Sequence, residues 1–188
     1  MSKSIIGMSF RDAVLREHAI DRIDTDVITT SGMIPTWMQV SIEILSIEEG
    51  ISESKLYIAL INHGTIILQR KLGDYIKDQR SMRRNILRSN NEFAKSFLTS
   101  FKMSPDNGKS GKRTLRMLEW CQSYLGQASK AMQLSLSSMV VLAVCYSLNT
   151  WEAADETGKQ RCADEISFYE ERIMECTCFC ASVVGDLE

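Results

Sequence analysis

Between residues 35 and 49, apolar side chains recur at helical spacing in two phases. Met38, Ile42 and Leu45 form one stripe, and Trp37, Val40, Ile44 and Ile47 form a second on the roughly opposite side. A surface helix normally carries one such stripe, so two predict a helix held between partners. Pro35 suits its start, because the N–H that proline lacks has no intrahelical partner there. Gly50 suits its end, because glycine takes a positive φ at little cost. Ser52 is an N-cap for a second helix over 52–70, with Leu56, Leu60, Ile61 and Gly64 on one face. Gly64 there would admit another backbone at close range. Upstream, 9–23 has helical spacing at Val14, Leu15, Ala19 and Ile23, and the β-branched stretch 25–34 predicts a short strand despite Gly32. Downstream, 77–101 predicts a basic helix or helix pair. "SPDNGKSGKR" (104–113) predicts a loop, 114–149 one long helix or two with Gly126 as a break, and 160–184 a last helix. No internal repeat stands out. The pattern therefore predicts a mostly α chain in three parts: 1–103, a loop at 104–113, and an acidic helical domain at 114–188.

A strand, a proline, a helix closed by a glycine fifteen residues later, and then "GISES" opening a second helix: over about 27–68 the chain resembles the ribbon-helix-helix DNA-binding family. The resemblance covers under a quarter of the chain, and a plain helical hairpin is the alternative for the same residues. It implies a ribbon-helix-helix-like N-terminal part with a helical C-terminal extension. It also implies strands paired across a dimer axis into a ribbon that enters the DNA major groove. With Ile34 facing the core, the residues expected to meet bases are Thr29, Ser31 and Met33. The start of the second helix is expected to hold a phosphate through its free N–H groups, helped by Ser52, Ser54 and Lys55. Lys55 stands where a capping box would place an acid, while Glu53 opposes it. The ribbon stretch lacks the Arg, Lys, Asn or Gln that the family often carries there.

Charge sharpens this picture. The formal net charge is −2, but residues 1–68 carry 5 Lys/Arg against 9 Asp/Glu, residues 69–118 carry 13 against 4, and residues 119–188 carry 4 against 11. A basic middle between acidic flanks points to a polyanion partner or to an internal acidic–basic contact. Arg80, Arg84 and Arg88 recur every four residues, and Lys77 extends their stripe by a turn. This face suits a phosphate backbone, as does a flexible arm bearing Lys109, Lys112 and Arg113 with Arg116 beside it.

Other chemistry is not supported by the residues present. The six cysteines without a signal-peptide pattern suit a reducing, cytoplasmic setting. The longest apolar run, 134–148, contains four serines and predicts a buried helix rather than a membrane span. In "CTCFC" only Cys176 and Cys180 share a helix face and no histidine lies nearby, so a structural role is expected and no metal or cofactor. His18 and His63 are isolated, and no catalytic signature is present, so no enzyme activity is expected. The leading expectation is a dimeric, cytoplasmic, sequence-specific binder of double-stranded DNA. By family analogy it would be a transcription regulator or an accessory factor in plasmid transfer, with a possible protein partner at the acidic C-terminal helices. The alternative is a helical scaffold or adaptor without DNA binding.

Overall fold

A computed structural model describes residues 26–93, 95–96, 110–150 and 156–185, with the side chains of Arg172 and 175–185 excepted. The protein is mostly helical, with one small antiparallel sheet. In chain order the elements are β1 (Val27–Pro35), α1 (Thr36–Glu49), α2 (Glu53–Arg88), β2 (Ser110–Leu118), α3 (Glu119–Met132), α4 (Leu136–Asn149) and α5 (Glu156–Gly185). The expected helix at 9–23 and Lys109 lie outside the described residues.

The strand at 25–34 finds its partner inside the same chain. β1 pairs antiparallel with β2 from Val27 opposite Leu118 to Pro35 opposite Ser110. This corrects two expectations. Residues 110–113, read as loop, are strand, and the helix expected from 114 begins at Glu119. The reason is in the local pattern: Leu115 and Met117 are buried while Thr114 before them and Arg116 between them are exposed, a period of two that spans too few residues to stand out in the sequence. The backbone groups that β1 cannot satisfy alone supply the force that draws β2 beside it.

The two halves of the chain repeat one plan. Strand, helix, left-handed cap and serine N-cap recur at a constant offset of 83 residues (27 to 110, 36 to 119, 50 to 133, 52 to 135). Gly50 closes α1 at φ 66°, as expected, and Gln133 closes α3 at φ 57°. Ser52 accepts from the Lys55 N–H at 3.5 Å, and Ser135 from the Ser138 N–H at 3.0 Å. The strand register obeys the same symmetry: Ser31 faces Thr114, its own counterpart, so a pseudo-twofold axis passes through the middle of the ribbon. The absence of a repeat in the sequence reading is thereby corrected. Trp37, Gln39, Ser46, Ser52 and Ser54 keep their identity in Trp120, Gln122, Ser129, Ser135 and Ser137, and most core positions, such as Ile34 and Met117, Met38 and Cys121, or Ile42 and Leu125, preserve burial rather than residue type.

One core joins the two units across the boundary expected at 104–113. It includes Ile34, Met38 and Ile42, their counterparts Met117, Cys121 and Leu125, and nearly all of α4. The apolar run at 134–148 is thus a buried helix, and among the described residues no helix is long and apolar enough to cross a membrane. α2 and α4 cross in backbone contact at Gly64, where an added Cβ would lie 1.8 Å from the Ala143 carbonyl oxygen. α5 closes the assembly. Tyr75 Oη donates to the Ile173 carbonyl at 2.7 Å, Tyr146 Oη donates to the Glu170 carboxylate, and the Arg161 guanidinium lies 6.0 Å from the Trp37 ring.

Symmetry ends where α2 continues beyond the length of α4. Its second half runs to Arg88 and lies against α3, with Arg80 Nη1 donating to Gln127 Oε1 at 2.9 Å and Arg83 Nη1 to the Lys130 carbonyl. Nothing among the described residues occupies the equivalent face of α1. Its second apolar stripe, expected to be covered, is covered only at Trp37, which is half-buried against the core, whereas Val40, Ile44 and Ile47 are 47%, 47% and 75% exposed.

Candidate nucleic-acid interface

The strand alternation sends Ile34, Leu115 and Met117 into the core and turns the other face of the ribbon outward. Thr29, Ser31 and Met33 are exposed on that outer face, where the pattern put them. Beside them across the ladder stand Arg116, Thr114 and Lys112 respectively, also exposed. Lys112 and Arg116, expected in and beside a flexible basic arm, are thus strand residues, and Thr114 was not singled out from the sequence. The cations that the first strand lacks therefore come from the second. The signal that would have found them is the recurrence of apolar-Ser-x-Ser, "ISES" at 51–54 and "LSLS" at 134–137, with Trp-x-Gln upstream of each.

Arg113 belongs to the other face of β2. Its Nε donates to Gln39 Oε1 at 2.6 Å, while Gln39 Nε2 donates to the Ile34 carbonyl at 2.8 Å. Gly111 makes room for this amide, since a Cβ there would meet Gln39 Nε2 at 2.8 Å. Arg113 thus ties the end of the ribbon to α1 rather than riding on a loose arm.

The ribbon is flanked by two helix starts. At α2, Ser52, Ser54 and Lys55 are exposed, as a phosphate-holding role requires. At α4 the corresponding residues are Ser135, Ser137 and Ser138, and Ser137 Oγ accepts from the Met33 N–H at 3.0 Å. This bond locks the ribbon to the start of α4. Gly32 permits the approach, because Leu115 and Ser137 leave only 3.2 Å for a Cβ. The first turn of a helix presents N–H groups without intrahelical partners, and the helix dipole adds partial positive charge.

Arg80, Arg84 and Arg88 are exposed along the second half of α2. Arg80 and Arg83, with Gln127, Lys130 and Ala131, line an open cleft of about 370 Å³ between α2 and α3. The partners of Arg80 and Arg83 there are a neutral amide and a carbonyl, so these contacts leave both charges uncompensated. Lys130 lies in the last turn of α3, just before the turn into α4. The basic cleft therefore sits just before one of the two helix starts in the chain, while at the 83-residue offset Ile47 stands where the cleft has Lys130.

His63 packs between α2 and α4, its Nδ1 3.0 Å from Ser147 Oγ. Burial, reinforced by the charge of Arg70, lowers its pKa below 6.5. The neutral form is thus the one the fold prefers, as suits a packing residue. Cys176, Cys178 and Cys180 fall within α5, but their side chains lie outside the described residues.

No protein-family model, curated protein or solved structure matches the chain.

Proposed function

We propose that the protein binds duplex DNA in a sequence-specific manner, inserting its two-stranded ribbon into the major groove as a ribbon-helix-helix module built from one chain. The observation that carries this reading is the outer face of the ribbon, where exposed Thr29, Ser31, Met33, Lys112, Thr114 and Arg116 are centred on a pseudo-twofold axis and flanked by two serine-capped helix starts. A major groove about 12 Å wide admits a two-stranded ribbon. Arg and Lys donate to guanine O6 and N7, Thr and Ser serve any base, and Met packs on a thymine methyl. The helix starts, with Ser52, Ser54 and Lys55 at one, hold flanking phosphates, and Arg80, Arg84 and Arg88 add contacts that carry no sequence information. The resulting role is a cytoplasmic regulator of transcription or a DNA-processing accessory factor, without catalytic chemistry.

A salt titration of binding to a selected site and to random duplex tests this. Arg84→Ala and Arg88→Ala should weaken binding to all sequences alike and lower the slope of log affinity against log salt by about one each. Arg116→Ala should change the preferred sequence. The reading fails if the native protein retards no duplex at low salt.

A second reading rests on the open apolar stripe of Val40, Ile44 and Ile47 on α1. Such a surface suits a protein contact, and in an adaptor without DNA binding it would be the principal one. Loss of duplex binding together with retained self-association or partner binding would favour it.

A further inference from the structure

Resting on the reading as a DNA-binding ribbon, we infer that the protein recognises a non-palindromic site and docks on it in one orientation. A ribbon formed by two identical chains presents the same residues at both ends, so it reads an inverted repeat. Here the pseudo-twofold axis at Ser31 and Thr114 relates unlike residues. It exchanges Thr29 with Lys112 and Met33 with Arg116. One end of the ribbon therefore shows Thr29 beside Arg116, and the other shows Met33 beside Lys112. The first pair offers a guanidinium fork for a guanine and a hydroxyl for a neighbouring base. The second offers a single ammonium and an apolar thioether that suits a thymine methyl.

The phosphate contacts are unequal in the same sense. The α2 start has Glu53 and Lys55 where the α4 start has Leu136 and Ser138. Lys130, at the end of the helix that leads into α4, belongs to the cleft of Arg80 and Arg83, whereas Ile47 holds the equivalent place before α2. Backbone architecture is thus symmetric to the residue while chemistry is not, which ties each half of the site to one end of the ribbon.

The test is selection of bound sequences from a random duplex pool by the full chain, repeated with a variant in which β1 copies the outer face of β2: Thr29→Lys, Ser31→Thr and Met33→Arg. All three residues are exposed, and thermal unfolding checks that the variant folds. The native protein should select a site without twofold symmetry, and Arg116→Ala should lose about tenfold of discrimination at one end only. The triple variant should shift the preference towards an inverted repeat. A native preference for an inverted repeat overturns the inference but leaves DNA binding intact, as does a triple variant that keeps the native preference. Failure of the native chain to bind any duplex at low salt removes the DNA-binding reading itself, and the inference with it.

Discussion

At the residue scale, the two turns between paired helices solve the same problem with different side chains. Gly50 adopts φ 66° with nothing within 4 Å of a would-be Cβ, so the cost of a substitution there is backbone strain rather than collision. Gly50→Val should destabilise the protein by about 1–2 kcal/mol, read as a fall in the denaturation midpoint. Gln133 already bears that strain at φ 57°, and its Nε2 is buried without a hydrogen-bond partner. Gln133→Gly should therefore raise stability by about 0.5–1 kcal/mol, strain relief exceeding the entropy that glycine adds to the unfolded chain. An unchanged midpoint in both variants would contradict the assigned turn geometry. His63 provides a pH test. Its folded pKa is below 6.5, so the unfolded chain takes up the proton first as pH falls. The contribution of neutral His63 is complete above pH 6.5 and is lost as pH drops from 6.5 through the lower folded value. His63→Gln should show a smaller drop in thermal midpoint between pH 7 and pH 5 than the native protein.

At the scale of elements, the crossing of α2 and α4 sets the relation between the two repeats. Glycine inside a helix is disfavoured relative to alanine by about 1 kcal/mol, so on propensity alone Gly64→Ala should stabilise. The tertiary contact reverses the sign, since the new methyl would lie 1.8 Å from the Ala143 carbonyl oxygen and force two helix backbones apart. The expected result is a net loss of about 3 kcal/mol, seen in chemical denaturation. Equal or greater stability would mean that the helices do not meet at this point. The close approach was legible in the sequence from Gly64 lying on the apolar face of its helix, but the partner was not, because nothing local to 52–70 points to residues near 143. The elongation of α2 was likewise underestimated. Its second half has a weaker apolar stripe, with Ile76, Gln79 and Ile86 buried, and it is held by contacts with α3 and α5.

At the scale of the whole molecule, the strongest departure from the sequence reading concerns the second copy. A strand with unpaired backbone groups needs a partner, and the sequence reading took that partner from another chain. The structure supplies it from residues 110–118 of the same chain, so the ribbon by itself requires no second copy. One chain should suffice for one ribbon-sized site. Sedimentation of the protein with a short duplex at stoichiometric concentrations should give one chain per duplex. Two chains on a duplex long enough for one ribbon would show that the intramolecular pairing is replaced by an intermolecular one. Any self-association should instead depend on the open face of α1, and Ile47→Lys, which copies Lys130 from the equivalent position, should reduce it.

The sequence alone determined what depends on neighbours in the chain. Helical spacing placed the core stripe of Met38, Ile42 and Leu45, the absence of a Cβ placed the turn at Gly50, and the capping geometry of serine placed the start at Ser52. Alternation counted from Ile34 placed Thr29, Ser31 and Met33 on one outer face. Each follows from backbone periodicity or from a bond spanning a few residues, and such information survives in a local window. Tertiary structure decided what depends on distant partners. Residues 110–118 become a strand because β1 offers them an open edge, and the left-handed turn at Gln133 is tolerated because packing on both sides requires it. The internal repeat remained hidden for the same reason. Burial and hydrogen bonding can be preserved by many side chains, so two segments 83 residues apart fold alike while sharing few identities, and only the paired ribbon reveals that they are halves of one surface.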